Sequence, residues 1–240
     1  MRFMILAKRN FKEVWLDPLS IGLIIGLPVG LLLMFQPIGK LNPFFTTTNL
    51  APGIAVYAFT MLTFSSGTIL ARDRESALLS RLLTAPLRAN DFISAYSLPY
   101  IPVAIIQIAV VFGIGGLLGL EISGNAGLVF LVIFVMSIGY IGLGMVLGSL
   151  LTSKQVPIVW TAVNLLTIFG GAWVPLEALG GVFESAMKAL PFAHAIDAAR
   201  DVMVHGVGFS DIATDFYWVL GYTLVFFALG IFLFRRRMVE

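Results

Sequence analysis

Six long stretches of this chain, residues 19–35, 50–71, 92–120, 126–151, 156–173 and 216–234, contain no charged side chain. Crossing the hydrocarbon core of a bilayer takes about 20 apolar residues as a helix. The runs are continuous and show no inside/outside alternation over strand-sized units, so they read as helices and not as barrel strands. Composition excludes a water-soluble alternative. Apolar residues make up 59 % of the 240 before glycine is counted, against roughly 45–50 % with glycine in soluble domains. Charged residues make up 12 %, against roughly 25 %. The expected fold class is all-α: a polytopic membrane protein with six transmembrane helices.

Lysine and arginine set the expected orientation. Arg2, Lys8, Arg9, Lys12, Arg72, Arg74, Arg81, Arg88, Lys154, Arg235, Arg236 and Arg237 fall on one side of the six runs. The other side holds Lys40, Lys188 and Arg200, outnumbered there by Glu121, Glu177, Glu184, Asp197, Asp201, Asp211 and Asp215. Both termini are therefore expected in the cytoplasm, in a multi-pass protein of the cell (inner) membrane. The net charge of +2 is spread over short connecting segments, which gives no footprint for nucleic acid. There are no cysteines, so disulfides and thiolate chemistry are ruled out. The first run is followed by Gln36-Pro37-Ile38-Gly39-Lys40 and not by a small-x-small site, so it reads as a retained span. Before it, residues 2–17 can form a basic interfacial helix, with Phe3, Ala7, Phe11 and Val14 on one face and Lys8, Arg9 and Lys12 largely opposite.

An intramembrane charge costs roughly 2.5–3.5 kcal/mol on insertion scales and is kept where ions or protons are handled. This chain keeps none in its spans, so an uphill transport step would draw its energy from elsewhere. The chain does not supply that energy by hydrolysing ATP, because its Gly-Lys pair, Gly39-Lys40, is followed by Leu41 and not by the Ser or Thr of a phosphate-binding loop. Phe64-Ser65-Ser66-Gly67 lacks the first glycine of an intramembrane serine-protease pattern, and His194 and His205 lie outside the spans. No cofactor is expected on the chain itself.

Gly22, Gly26 and Gly30 line one face of the first span and invite close helix packing, within one subunit or between two. Gly115 with Gly119, and Gly144 with Gly148, repeat the device. Pro99 and Pro102 should kink the start of the third span. Six spans enclose little space, so a second copy or a sister subunit is expected to complete any pathway.

Residues 72–88 form too long a connection for a tight turn, and they group Leu78, Leu79, Leu82 and Leu83 with Arg74, Arg81 and Arg88. A short cytoplasmic helix of this kind either packs on lipid or serves as a knob for a soluble partner. Arg74-Glu75, Leu79, Arg81-Leu82-Leu83 and Pro86-Leu87 make the segment resemble the cytoplasmic loop of type-2 ATP-binding-cassette (ABC-2) permeases. Ala77, Leu78 and Ser80 stand where Gly, Thr and Glu are usual in that family. Gly170-Gly171-Ala172-Trp173-Val174-Pro175-Leu176-Glu177, then Leu190-Pro191 and Arg200, resemble the family's outer motifs.

The resemblance covers the whole chain, 1–240, as a single permease domain. It implies an interfacial helix at 1–17, a coupling helix at 72–88 that seats in a separate ABC ATPase (nucleotide-binding) subunit, and outer re-entrant helices within 174–215. It also implies pairing of two permease subunits and, usually, export. For the ATPase contact it points to Glu75, Leu79, Arg81, Leu82 and Leu83. For the pathway it points to Met34, Phe35, Tyr57, Phe64, Trp160, Asn164 and Thr167, whose uncharged, aromatic character suits a hydrophobic or amphiphilic drug or lipid-like cargo. Ordinary helix packing is the simpler account of each pathway residue. Two other functions fit the same spans: a passive channel or lipid scramblase, and a membrane anchor that recruits a soluble protein.

His194, Asp197, Asp201 and His205 fall on one face of a helix expected between Pro191 and Gly206. Such a face can bind zinc or sense pH, but it more simply turns to water while Ile196, Ala199, Val202 and Met203 pack inward. No metal is assigned.

Overall fold

The computed structural model describes residues 2–76, 89–174, 176 and 180–239, and among them every regular element is a helix. In chain order these are α1 (Arg2–Trp15), α2 (Pro18–Gly39), α3 (Thr47–Ala58), α4 (Thr60–Glu75), α5 (Ala89–Ser97), α6 (Tyr100–Leu117), α7 (Ala126–Leu150), α8 (Val156–Thr167), α9 (Gly181–Lys188), α10 (Pro191–His205) and α11 (Phe209–Val239). Among the described residues five stretches are long and apolar enough to cross a membrane: Ser20–Gly39, Thr47–Glu75, Asp91–Leu117, Ala126–Leu150 and Phe209–Arg236. The chain is thus an all-α, multi-pass membrane protein.

The fifth expected span is shorter. α8 ends at Thr167, and a π turn over Ile168–Ala172 carries the chain out of the helix at Gly171, whose φ of +97° suits a residue without a Cβ. The sixth begins earlier than the apolar run, at Phe209, because Asp211 accepts a bond from the Gly208 amide at 3.0 Å and so stabilises the first turn. The expected boundary at residue 215 therefore falls inside α11.

α7 is the central post. α4 packs along one side of it, where Thr63 donates to the Tyr140 carbonyl at 2.7 Å and Gly144 and Gly148 admit the α4 backbone. α11 packs along another side, with Thr223 and Phe227 over Gly139 and Gly142. Asn125 caps α7, accepting from the Gly127 and Leu128 amides. α2 lies at the periphery against α3 and α6.

Two gaps in the helical ladder, one made by a proline and one at a helix junction, are filled from one side chain. Pro28 has no N–H to give to the Ile24 carbonyl, and at the α3–α4 junction the Leu62 amide bonds Phe59 and not Ala58. Gln107, fully buried on α6, donates to both orphaned carbonyls, at 2.9 Å to Ile24 and 3.1 Å to Ala58. The expected proline break in the third span lies at Pro99, between α5 and α6.

α1 forms as expected, but with a different face inward. Leu6, Ala7, Asn10 and Val14 are buried, and Phe11 is exposed and stacked on Trp15. The rotation follows from packing on α5, where Asn10 donates to the Ala95 carbonyl at 3.2 Å.

Candidate functional site at the base of the 72–88 segment

The last turn of α4 is Arg72-Asp73-Arg74-Glu75, and about 100° of helical rotation per residue aims each side chain at a different neighbour. Arg72 reaches back to Glu13 on α1. Asp73, only 4 % exposed, points into the protein. Its carboxylate accepts two bonds from the Arg9 guanidinium, at 2.7 and 3.0 Å, and one from the Tyr96 hydroxyl at 2.7 Å. The hydrogen bond to Asp73 holds the pKa of Arg9 above the ordinary arginine value. Arg9 also bonds Glu13 at 3.1 Å, so α1, α4 and α5 share one charged knot.

Arg74 turns the other way, donating to the carbonyls of Ser149 and of Leu151, the latter at 2.8 Å. These carbonyls end α7, where unsatisfied acceptors and the helix dipole favour a cation. Glu75 accepts from the Ser153 amide at 3.1 Å and its hydroxyl at 2.7 Å. Three consecutive side chains thus tie the start of the segment to α1, to the end of the central post and to the loop before α8. Leu79, Arg81, Leu82 and Leu83 lie outside the described residues.

The pathway candidates form two clusters. Phe35 and Tyr57 meet on Trp173, with ring centroids 5.9 and 5.1 Å away. Phe64 meets Trp160 at 4.9 Å, and the indole of Trp160 donates to the Thr60 carbonyl at 2.8 Å. Asn164, buried, accepts from the Thr60 hydroxyl at 3.5 Å. Thr167 is fully buried between Tyr140, at 2.6 Å, and the Val163 carbonyl. Met34 is 55 % exposed on the outer side of α2. A Cβ built at Gly22, Gly26 or Gly30 meets nothing within 4 Å, so that stripe has no partner among the described residues.

In the outer segment, α10 runs from Pro191 at its first turn to Gly206, whose φ of +67° closes it. Ile196, Ala199, Val202 and Met203 are buried, as the water-facing reading requires. Arg200 organises the region. It donates to the Asn49 carbonyl at 3.1 Å and to the Gly171 carbonyl at 3.0 Å, fixing the π turn against the start of α3. His194 pairs with Asp215 at 2.6 Å and His205 with Asp201 at 3.1 Å. Among the described residues no three of His, Asp or Glu come together at metal-ligand spacing. Zinc binding by the α10 face therefore has no geometric support.

Sequence reading passed over Asp73, Arg9 and Tyr96 as site residues. Asp73 sits in a run of charges that looks solvated, and its partners are distant in the chain. The one available signal was an Asp flanked by arginines at the end of an apolar helix.

The chain is thus a multi-pass helical protein whose basic segment between two spans is braced at its start to neighbouring elements. The sequence profile of the family described as ABC-2 type transporter matches residues 1–204, and the chain belongs to that family. It is 23 % identical over 175 residues to the inner membrane transport permease YhhJ of Escherichia coli strain K12, covering 71 % of this chain and 47 % of that one. It is 25 % identical over 195 residues to the daunorubicin resistance ABC transporter permease protein DrrB1 of Streptomyces coeruleorubidus, covering 78 % of this chain and 68 % of that one. It is 26 % identical over 184 residues to ABC transporter G family member 20 of Dictyostelium discoideum, covering 73 % of this chain and 25 % of that one. The aligned region thus spans about half of YhhJ and a quarter of the Dictyostelium protein.

Proposed function

We propose that this chain is the permease subunit of an ATP-driven exporter, gripped through residues 72–88 by separate ATPase subunits on the cytoplasmic side. The observation that carries this reading is the bracing of Asp73, Arg74 and Glu75 to three different elements. A segment that must pass force into the spans needs a base that does not yield, and lipid packing alone has no use for such a base. Leu79, Leu82 and Leu83 would seat in the partner, with Glu75 and Arg81 setting the register.

Both termini lie in the cytoplasm in this reading. Two permeases pair along the open glycine stripe of α2, and their facing surfaces enclose the pathway. Phe35, Tyr57, Phe64 and Trp160 suit hydrophobic or amphiphilic cargo, and DrrB1, by its name, is a daunorubicin resistance permease. The test is co-purification from the native membrane. The wild-type chain should bring down a nucleotide-hydrolysing subunit, and Leu82→Asp should lose it while keeping its own size-exclusion profile. Equal recovery with Leu82→Asp would refute the assignment.

A further inference from the structure

The exposed face of α11 carries an apolar groove of about 570 Å³ lined by Thr214, Tyr217, Trp218, Gly221, Tyr222 and Val225. Beside it lies a polar cleft of about 500 Å³, walled by His194, Asp197, Asp201 and Asp215 with Lys188 and Arg200. The two are joined at one point. The His194 ring lies flat on Trp218, with centroids 5.1 Å apart and planes 9° apart, and its Nδ1 is 2.6 Å from Asp215. Trp218 sits one turn along α11 from Asp215, so the apolar groove opens directly onto the carboxylate.

The charges of the cleft favour a cation. Lys188 is bonded to Glu184 at 2.6 Å, and Arg200 to Asp197 and two backbone carbonyls. Asp215 and Asp201 are paired with histidines and keep 29 % and 48 % of their side chains exposed. An ammonium group is attracted by such carboxylates. The tail attached to it must be apolar, because the groove continues along a membrane-spanning helix whose Trp and Tyr mark the level of the lipid headgroups.

We propose that this junction binds a phospholipid with a primary ammonium headgroup, in the leaflet facing away from the 72–88 segment. The acyl chain lies along Tyr217, Gly221 and Val225, and the ammonium sits at Asp215 and Asp201. The site does not depend on what grips the 72–88 segment.

The test uses the full chain in nanodiscs containing either phosphatidylethanolamine or phosphatidylglycerol with identical brominated acyl chains. Quenching of Trp218 fluorescence is taken as the difference from the Trp218→Phe variant. The expected result is several-fold stronger quenching by the ethanolamine lipid, lost in Asp215→Asn and reduced in Asp201→Asn. Asp201 is exposed and lies outside the core, so its variant reports even if loss of the His194 partner prevents Asp215→Asn from folding. Equal quenching by the two lipids, stronger quenching by the glycerol lipid, or an undiminished preference in Asp201→Asn would overturn the proposal.

Discussion

Arg9 holds Asp73 with two hydrogen bonds, at 2.7 and 3.0 Å, across 64 residues of chain. One partner lies on α1 and the other on the final turn of α4, at the start of the 72–88 segment. The pair therefore links α1 directly to the base of that segment.

Removing one partner leaves the other in a site built for a pair. Arg9→Met strands a buried carboxylate, a loss of about 3 kcal/mol by comparison with other buried pairs. The melting temperature in detergent should fall clearly, and Asp73→Asn, which keeps the Tyr96 bond, should fall less. The raised pKa of Arg9 contributes stability fully below the unfolded arginine value and loses it only above the folded one. Stability from this pair should therefore stay flat from neutral to about pH 10, below the arginine range. A melting curve that drops over that interval in wild type but not in Arg9→Met would contradict this.

Gln107 donates to the Ile24 carbonyl, which Pro28 leaves without its i+4 amide, and to the Ala58 carbonyl at the α3–α4 junction. In lipid, water cannot replace it. Gln107→Leu keeps the apolar bulk and should cost about 1–3 kcal/mol, read as a lower unfolding midpoint. An unchanged midpoint would show that the gaps at Pro28 and Phe59 need no filling.

Two sets of glycines should respond differently to the same change. A Cβ at Gly148 would stand 2.7 Å from the Gly67 carbonyl and 2.8 Å from Leu70 Cβ, so Gly148→Val should push α4 from α7 and destabilise the chain by about 1–3 kcal/mol. A Cβ at Gly26 meets nothing within 4 Å among the described residues, so Gly26→Leu has open space to enter. It should leave the monomer's unfolding midpoint intact and shift the oligomeric state seen by cross-linking in membranes. If Gly26→Leu alters only stability, the stripe is not a seam between copies.

The bundle was legible because lipid leaves few options: uncharged runs of sufficient length gave the spans, Pro99 gave a break, and Gly206 closed α10. Helix ends set by side chains were harder to read. Asp211 and Asp215 look like loop residues by polarity, yet one caps α11 and the other pairs with His194. The knot at Asp73 was hidden for a related reason. Charge within one segment does not disclose which residue turns inward, since that depends on Arg9 and Tyr96 arriving from other helices. Phe11 shows the same limit on α1, where periodicity identified an apolar face but packing on α5 chose its rotation.

The central claim is that force enters through residues 72–88 from a separate ATPase. The most direct measurement is export of a hydrophobic dye from proteoliposomes holding the chain with its co-purified ATPase, beside liposomes holding the chain alone. The account predicts ATP-dependent export with the partner, none with Leu82→Asp, and none from the isolated chain under any ion gradient. Uphill dye movement by the isolated chain driven by an ion gradient would contradict it.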